Sequence, residues 1–218
     1  TNKFYARAPR LRMSAEMVRD NALSISGLLS TKMHGPPIYP PQPGGIWRHV
    51  GRNAPKYITA TNEDRFRRGV YVVWRRGAPY VSFMNFDAPD RGTCVVRRPR
   101  TNTPLQALTL LNDEAYVEMA MAFAGRILTE VGDGTEAKIK FAYKAALSRA
   151  PRLAELTYLN KLILKSRAQF GENPKKADDL IASVKGWKPP EGMNKSELAA
   201  WFYIANILLN LDETITKD

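Results

Sequence analysis

A mainly α fold is predicted: a helical bundle in the C-terminal half, residues 101–218, and a basic N-terminal lobe, residues 1–100, holding a helix, a proline-rich arm and a small β or irregular insert. Three observations predict it. Apolar residues recur at three- and four-residue spacing through most of the second half. Capping residues stand at the starts of those segments. The run PPIYPPQPGG and the β-branched stretches GVYVVW and TCVV all fall in the first half. The two parts are expected to form one compact unit, the C-terminal portion of a larger protein.

In chain order, Met13-Ser14 followed by AEMVRDNALSISGLL reads as a capped helix, with Ser14 accepting backbone N–H bonds, Met13 stapled on Val18, and Met17, Ala22, Ile25, Leu28 and Leu29 on its apolar side. Gly35 and the prolines that follow forbid regular structure until Trp47, which predicts an extended arm or loop. Gly69 to Trp74 and Thr93 to Val96 read as short strands or buried extended pieces, and a short helix for the first fits the pattern as well. After Arg100 the chain turns helical. Thr103-Pro104-Leu105-Gln106 fits a capping box, with Thr103 at the cap, Pro104 where its missing N–H costs nothing, and Gln106 reaching back. Asp113 recaps a second helix that stops at Gly132-Asp133-Gly134. Three amphipathic segments follow, over about 135–148, 152–170 and 175–184, and Asn194 with Glu197 opens a last helix over LAAWFYIANILL. Its leucines and aromatics are core residues rather than a cofactor box.

The formal charge of +12 is unevenly placed. Residues 1–47 carry six basic and two acidic side chains, residues 48–100 twelve and four, and residues 101–218 fifteen of each. The basic field therefore belongs to the first hundred residues and suits an anionic partner; the alternative is a surface whose arginines pair with carboxylates from elsewhere in a larger protein. No apolar run reaches the length of a membrane span. One cysteine cannot form an internal disulfide, and two distant histidines without a CxxCH motif give neither a covalent haem site nor zinc spacing. No cofactor is expected in this chain. It opens on Thr1 without an initiator methionine, which suggests a processed product or a piece of something longer.

The stretch FDAPDRGTCVVRRPRTNTPLQAL, residues 86–108, concentrates the chemistry. A helix N-terminus exposes unpaired N–H groups and a positive dipole end, and the preceding residues add guanidinium groups. Arg91, Arg97, Arg98, Arg100, Asn102 and Thr103 are therefore the candidate anion-binding residues, for a carboxylate, sulfate or phosphate. Strand alternation would point Arg98 away from Arg97 and Arg100. The structural alternative pairs these arginines with Asp87, Asp90 and Asp113 as internal pins, and is slightly favoured. Cys94 reads as a small buried apolar residue. Asp87 and Asp90 are either an acid–base pair or a capped turn. His49 is either a base or a satisfied structural histidine. The segment RFRR, Arg65 to Arg68, with Tyr57, Phe66, Tyr71, Trp74 and Tyr80, could stack and hold an anionic polymer.

The segments RLRMSAEMVRDNALSISGLL, GPPIYPPQPGGIW, DRFRRGVYVVWRR, FDAPDRGTCVVRRPRTNTPLQALTLLND and ELAAWFYIANILLNLDETITK together resemble the C-terminal domain of unknown function of the planctomycete cytochrome c domain-containing proteins. The resemblance runs from near residue 7 to near residue 217. Glu114 stands where that family often has proline, a change the first turn of a helix accommodates. The resemblance implies a large exported, periplasmic protein in which a cytochrome c-like segment and a second domain precede this one, so any haem would sit in an upstream segment or partner. No reaction and no catalytic residue travel with it. Three functions are weighed. The first is an accessory or assembly domain that meets the upstream cytochrome c-bearing portion or a neighbouring subunit. The second is part of an enzyme acting on glycans or their oxidation products in a cleft shared with upstream domains, using Asp87, Asp90, His49 and the arginines. The third is a binder of acidic or sulfated polysaccharide; nucleic acid is disfavoured for an exported protein.

Overall fold

Residues 3–4, 10–49 and 56–217 are described by a computed structural model. Its centre is a pair of helices buried on nearly every side, α4 (Glu114–Glu130) and α8 (Lys195–Asn210). Both are rich in alanine at the contact, as in Ala120, Ala122 and Ala124 facing a core that includes Ala199, Ala200 and Ala205. Small side chains let the two axes approach closely, while Phe123, Ile127, Trp201 and Ile204 fill the space between layers. Around this pair stand α3 (Pro104–Asn112), α5 (Thr135–Leu147), α6 (Leu153–Glu172) and α7 (Pro174–Ser183), and the short α9 (Asp212–Ile215) closes one end. The helical bundle expected over residues 101–218 is there. Its caps follow the sequence closely: Thr103 accepts from Gln106 N, Asp113 from Ala115 N, and Asn194 from Glu197 N.

The N-terminal lobe contributes α1 (Ala15–Ser26), packed on α4, and α2 (Val81–Asn85). Helix α1 ends at Ser26 rather than continuing to Leu29, because Gly27 adopts φ 76° and hands its N–H and that of Leu28 back to the last turn. Ser14 stands at the cap with extended backbone but its hydroxyl makes no capping bond, and Met17, expected on the apolar side, is exposed.

Of the two readings of the insert, the irregular one holds. Gly69–Tyr71 is a single tight turn, and Thr93–Val96 pairs with no strand. The only strands among the described residues are two-residue pieces, β1 (Leu11–Arg12) paired antiparallel with β2 (Thr216–Lys217), Leu11 opposite Lys217, while the insert contributes just the isolated parallel bridges Ser30–Arg67 and Ile38–Val72. The proline-rich segment is a strap laid on the body, not a free arm. Ile38 N donates to Tyr71 O, Val73 N to Ile38 O, and the Tyr57 and Tyr80 hydroxyls to the carbonyls of Pro40 and Pro41. Prolines cannot donate, so their carbonyls take side-chain hydroxyls instead of a strand partner. One hydrophobic cluster runs from Met13 in the first half to Ile215 in the last helix.

Candidate functional site

Helix α2 gives way at Phe86, and Asp87 follows in the left-handed region at φ 60°. Its carboxylate accepts from Thr101 N at 2.7 Å and from the Thr101 hydroxyl at 2.9 Å, closing the loop of residues 87–101 at its base. Asp90 turns the loop locally by accepting from Gly92 N. Arg91, also left-handed at φ 62°, lays its guanidinium over the Trp74 ring at 4.5 Å, and the Trp74 indole donates to Asp90 O. Arg98 reaches back to the first turn of α1 and pairs with Glu16 at 2.7 Å. Burial is the largest single influence on Glu16 and disfavours its charged form, but the hydrogen bond and charge of Arg98 together with hydrogen bonds from the Glu16 backbone N–H and from Ser14 outweigh it and hold the carboxyl below its ordinary range. Helix α1 and the loop are thereby fastened together.

The far end of the loop is fastened to the chain's ends. Gln106, almost fully buried, donates to the Thr101 hydroxyl and accepts from Arg12 Nη2 at 2.6 Å. It does not reach back to the Thr103 backbone, so the expected capping box is half formed: an arginine 94 residues away takes the amide. Arg12 also donates to Asp212 and to Asn102 Oδ1, and Arg10 joins it on Asp212. A chain of bonds therefore links Asp212, Arg12, Gln106, Thr101 and Asp87.

Two clefts flank Arg98. One, of about 310 Å³, is walled by Leu11, Arg12, Met17, Val96, Arg97 and Arg100. The other, of about 460 Å³, is walled by Glu16, Val70, Trp74, Phe83 and Arg91. Arg97 and Arg100 are exposed and make no ion pair or hydrogen bond among the described residues. Val96, the residue before Arg97, is fully exposed, and Val95, Leu11 and Met17 add further open apolar surface. The candidate residues thus separate: Arg97 and Arg100 face solvent on one cleft, Arg98 is spent on Glu16, Arg91 is stacked on the other cleft, Asn102 is tied to Arg12, and Thr103 serves its own helix.

Several expectations are corrected by this geometry. Arg91, Arg97, Arg98 and Arg100 do not pair with Asp87, Asp90 or Asp113; those three carboxylates accept from backbone N–H groups of the loop and of α4. Backbone donors two residues away, or across the loop base, are nearer than any guanidinium. Cys94 is exposed rather than buried, because the loop it sits on is held only at its ends. RFRR is not a basic surface: Arg65 and Arg67 are buried, and so is Tyr80. The side chain of His49 lies outside the described residues.

Sequence reasoning missed the buried polar layer beneath this site. Arg19 donates to the carbonyls of Arg67 and Arg65; Arg65 pairs with Glu118 at 2.7 Å; Arg67 donates to the carbonyls of His34 and Pro36 and lies over the Tyr71 ring at 4.2 Å. Burial pushes Glu118 up from the ordinary carboxylate range even with Arg65 beside it. A signal existed: Arg19 falls in register with Ala15, Ala22 and Val18, and Glu118 with Ala115 and Ala122, so both charged residues sit on inward faces of their helices. Among the described residues no group of His, Cys, Asp or Glu is arranged to hold a metal ion, and no helix is long and apolar enough to cross a membrane.

The chain matches a family described as protein of unknown function (DUF1553), PSD1, over residues 1–163. It belongs to that family. The match takes in α1, the strap, the basic loop and the helices through the first half of α6. No curated protein and no solved structure matches the chain.

Proposed function

We propose that this chain is an accessory domain that assembles an exported, cytochrome c-associated protein, docking the cytochrome-bearing portion or a neighbouring subunit through the face around residues 91–100. One observation carries the reading: Arg97 and Arg100, without carboxylate partners among the described residues, line one cleft together with fully exposed Val96 and with Leu11 and Met17. Cations and apolar side chains on a loop anchored at both ends make a preorganised surface for an acidic protein face with an apolar centre. The loop's carboxylates are committed as turn acceptors, which favours a docking role over acid–base work by Asp87 and Asp90.

The test is binding of the full chain to the separately expressed cytochrome-bearing portion. The double variant Arg97→Glu, Arg100→Glu should weaken it at least tenfold, about 1.4 kcal/mol, and Val96→Asp should do the same, with unchanged thermal unfolding. Wild-type binding should weaken as salt rises from 50 to 300 mM. Equal binding by the wild type and both variants would overturn the assignment of this face.

A further inference from the structure

Granted the docking role proposed above, on which this rests, we propose that Arg98 is the anchor of that face: it seats one carboxylate of an extended acidic segment of the partner protein, whose neighbouring apolar side chains fill the two flanking clefts. The pairing with Glu16 takes a single nitrogen of Arg98. Its Nη1 donates to Glu16 Oε1 at 3.0 Å and to Oε2 at 2.7 Å. Among the described residues Nε and Nη2 donate to nothing, and neither atom is shut off from solvent, the side chain being 40% exposed. Arginine presents Nε–H and Nη2–H as a planar fork that matches the two oxygens of a carboxylate. Glu16 thus fixes the guanidinium and leaves that fork open.

The surroundings specify the rest of the segment. Arg98 lines both flanking clefts and a third, of about 380 Å³, with Arg91, Cys94 and Val95, so all three meet at its side chain. Exposed Leu11, Met17 and Val96 line the first, and exposed Val70 the second. An arginine ringed by apolar side chains is where binding energy concentrates, because the ring keeps water off the ion pair. The backbone favours an extended occupant. The N–H groups of residues 93–98 and 100 form no hydrogen bond among the described residues. A helix has already used most of its carbonyls internally, whereas an extended segment brings free ones to these donors. No carboxylate of this face competes for the fork: Asp87 accepts from Thr101, Asp90 from Gly92, and Glu16 lies on Nη1. A lone anion would leave the clefts empty, and an apolar peptide would leave the fork unanswered. Little ordering is needed on arrival, since Asp87 closes the loop and Glu16 orients the guanidinium beforehand.

The experiment is an NMR titration of the full chain with the blocked peptide Gly-Leu-Ser-Glu-Ser-Leu-Gly, in which the leucines and the glutamate point to one side of an extended chain. Its counterparts carry glutamine for glutamate or serine for both leucines, and acetate is the simple anion. The glutamate peptide should bind at least tenfold tighter than all three and shift the Arg98 Nε–H signal, which Arg98→Lys identifies by removing it. Arg98→Lys keeps a cation beside Glu16 but has no fork, so it should weaken the glutamate peptide at least tenfold at an unchanged melting temperature. Absence of glutamate-peptide binding, equal binding of any counterpart or of acetate, or binding indifferent to Arg98→Lys each overturns the proposal; the peptide series decides without any variant. Docking of the cytochrome-bearing portion separates the two readings. Weakening by Arg97→Glu with Arg100→Glu but not by Arg98→Lys would remove the anchor and leave the face, whereas peptide binding without docking of that portion would leave the anchor and remove that partner.

Discussion

Glu118 enters the buried face of α4 with Arg65 as its counter-ion, and the backbone of Gly186 presses on both: a methyl group there would overlap Glu118 Oε1 and Arg65 Nε. Removing one partner of such a pair strands the other in the interior, so Glu118→Ala is expected to destabilise by about 3–5 kcal/mol. Gly186→Ala should lower stability by about 1–3 kcal/mol through overpacking. Urea unfolding measures both, and a loss under about 1 kcal/mol for Glu118→Ala would show the pair to be solvent-relaxed. Asp113 is different in kind. Burial pushes its carboxyl up from 3.8 to about 6, against the pull of the Ala115 N–H it caps. The native state therefore holds the proton more tightly than the unfolded chain, and this residue's contribution to stability falls as pH climbs from 3.8 to about 6, then stays flat. Asp113→Asn keeps the capping oxygen and removes the charge. It should be more stable than wild type by about 1–3 kcal/mol at pH 7 and nearly equal to it at pH 3.5. Denaturant melts at the two pH values decide it; a variant weaker than wild type at pH 7 refutes the assignment.

Helix α3 shows how far local sequence reaches. Thr103, Pro104 and the break at Asn112-Asp113 could be read directly, because caps act within four residues and carry their signature with them. The role of Gln106 could not: its amide is taken by Arg12 and Thr101, and nothing near residue 106 announces a partner at residue 12. Arg98 and Glu16 are separated in the same way, 82 residues apart. The proline strap was legible as irregular chain and illegible as covered chain, since its burial depends on the hydroxyls of Tyr57 and Tyr80. Of the candidate site, the guanidinium cluster before a capped helix was visible, whereas its division into paired Arg98 and unpaired Arg97 and Arg100 required the position of α1. Gln106→Ala should therefore do more than weaken a helix start. It frees Arg12 and the loop base together, and hydrogen exchange at residues 97–103 is expected to speed at least tenfold while α4 stays protected. Thr103→Ala, which removes only the cap, should cost about 1 kcal/mol. Equal loop exchange in the two variants would show that Gln106 has no fastening role.

Across the whole molecule the hydrophobic cluster joins α1 and α2 to α4 and α8, and the polar layer of Arg19, Arg65 and Glu118 crosses the same boundary. The two halves are accordingly expected to unfold in one step. Trp47 and Trp74 report on the first half and Trp187 and Trp201 on the second, so fluorescence and far-UV circular dichroism should give one midpoint; two separated midpoints would show independent halves. The pairing of β1 with β2 adds a constraint in time. Arg12 finds Asp212 two hundred residues later, and Met13 N bonds Ile215 O. A chain that has formed α1 and α4 but not yet docked α9 still lacks the counter-charge that orients Arg12, which lines the basic cleft. The surface proposed to recruit a partner is finished only once α9 has docked, which delays recruitment until the chain's own interior is complete.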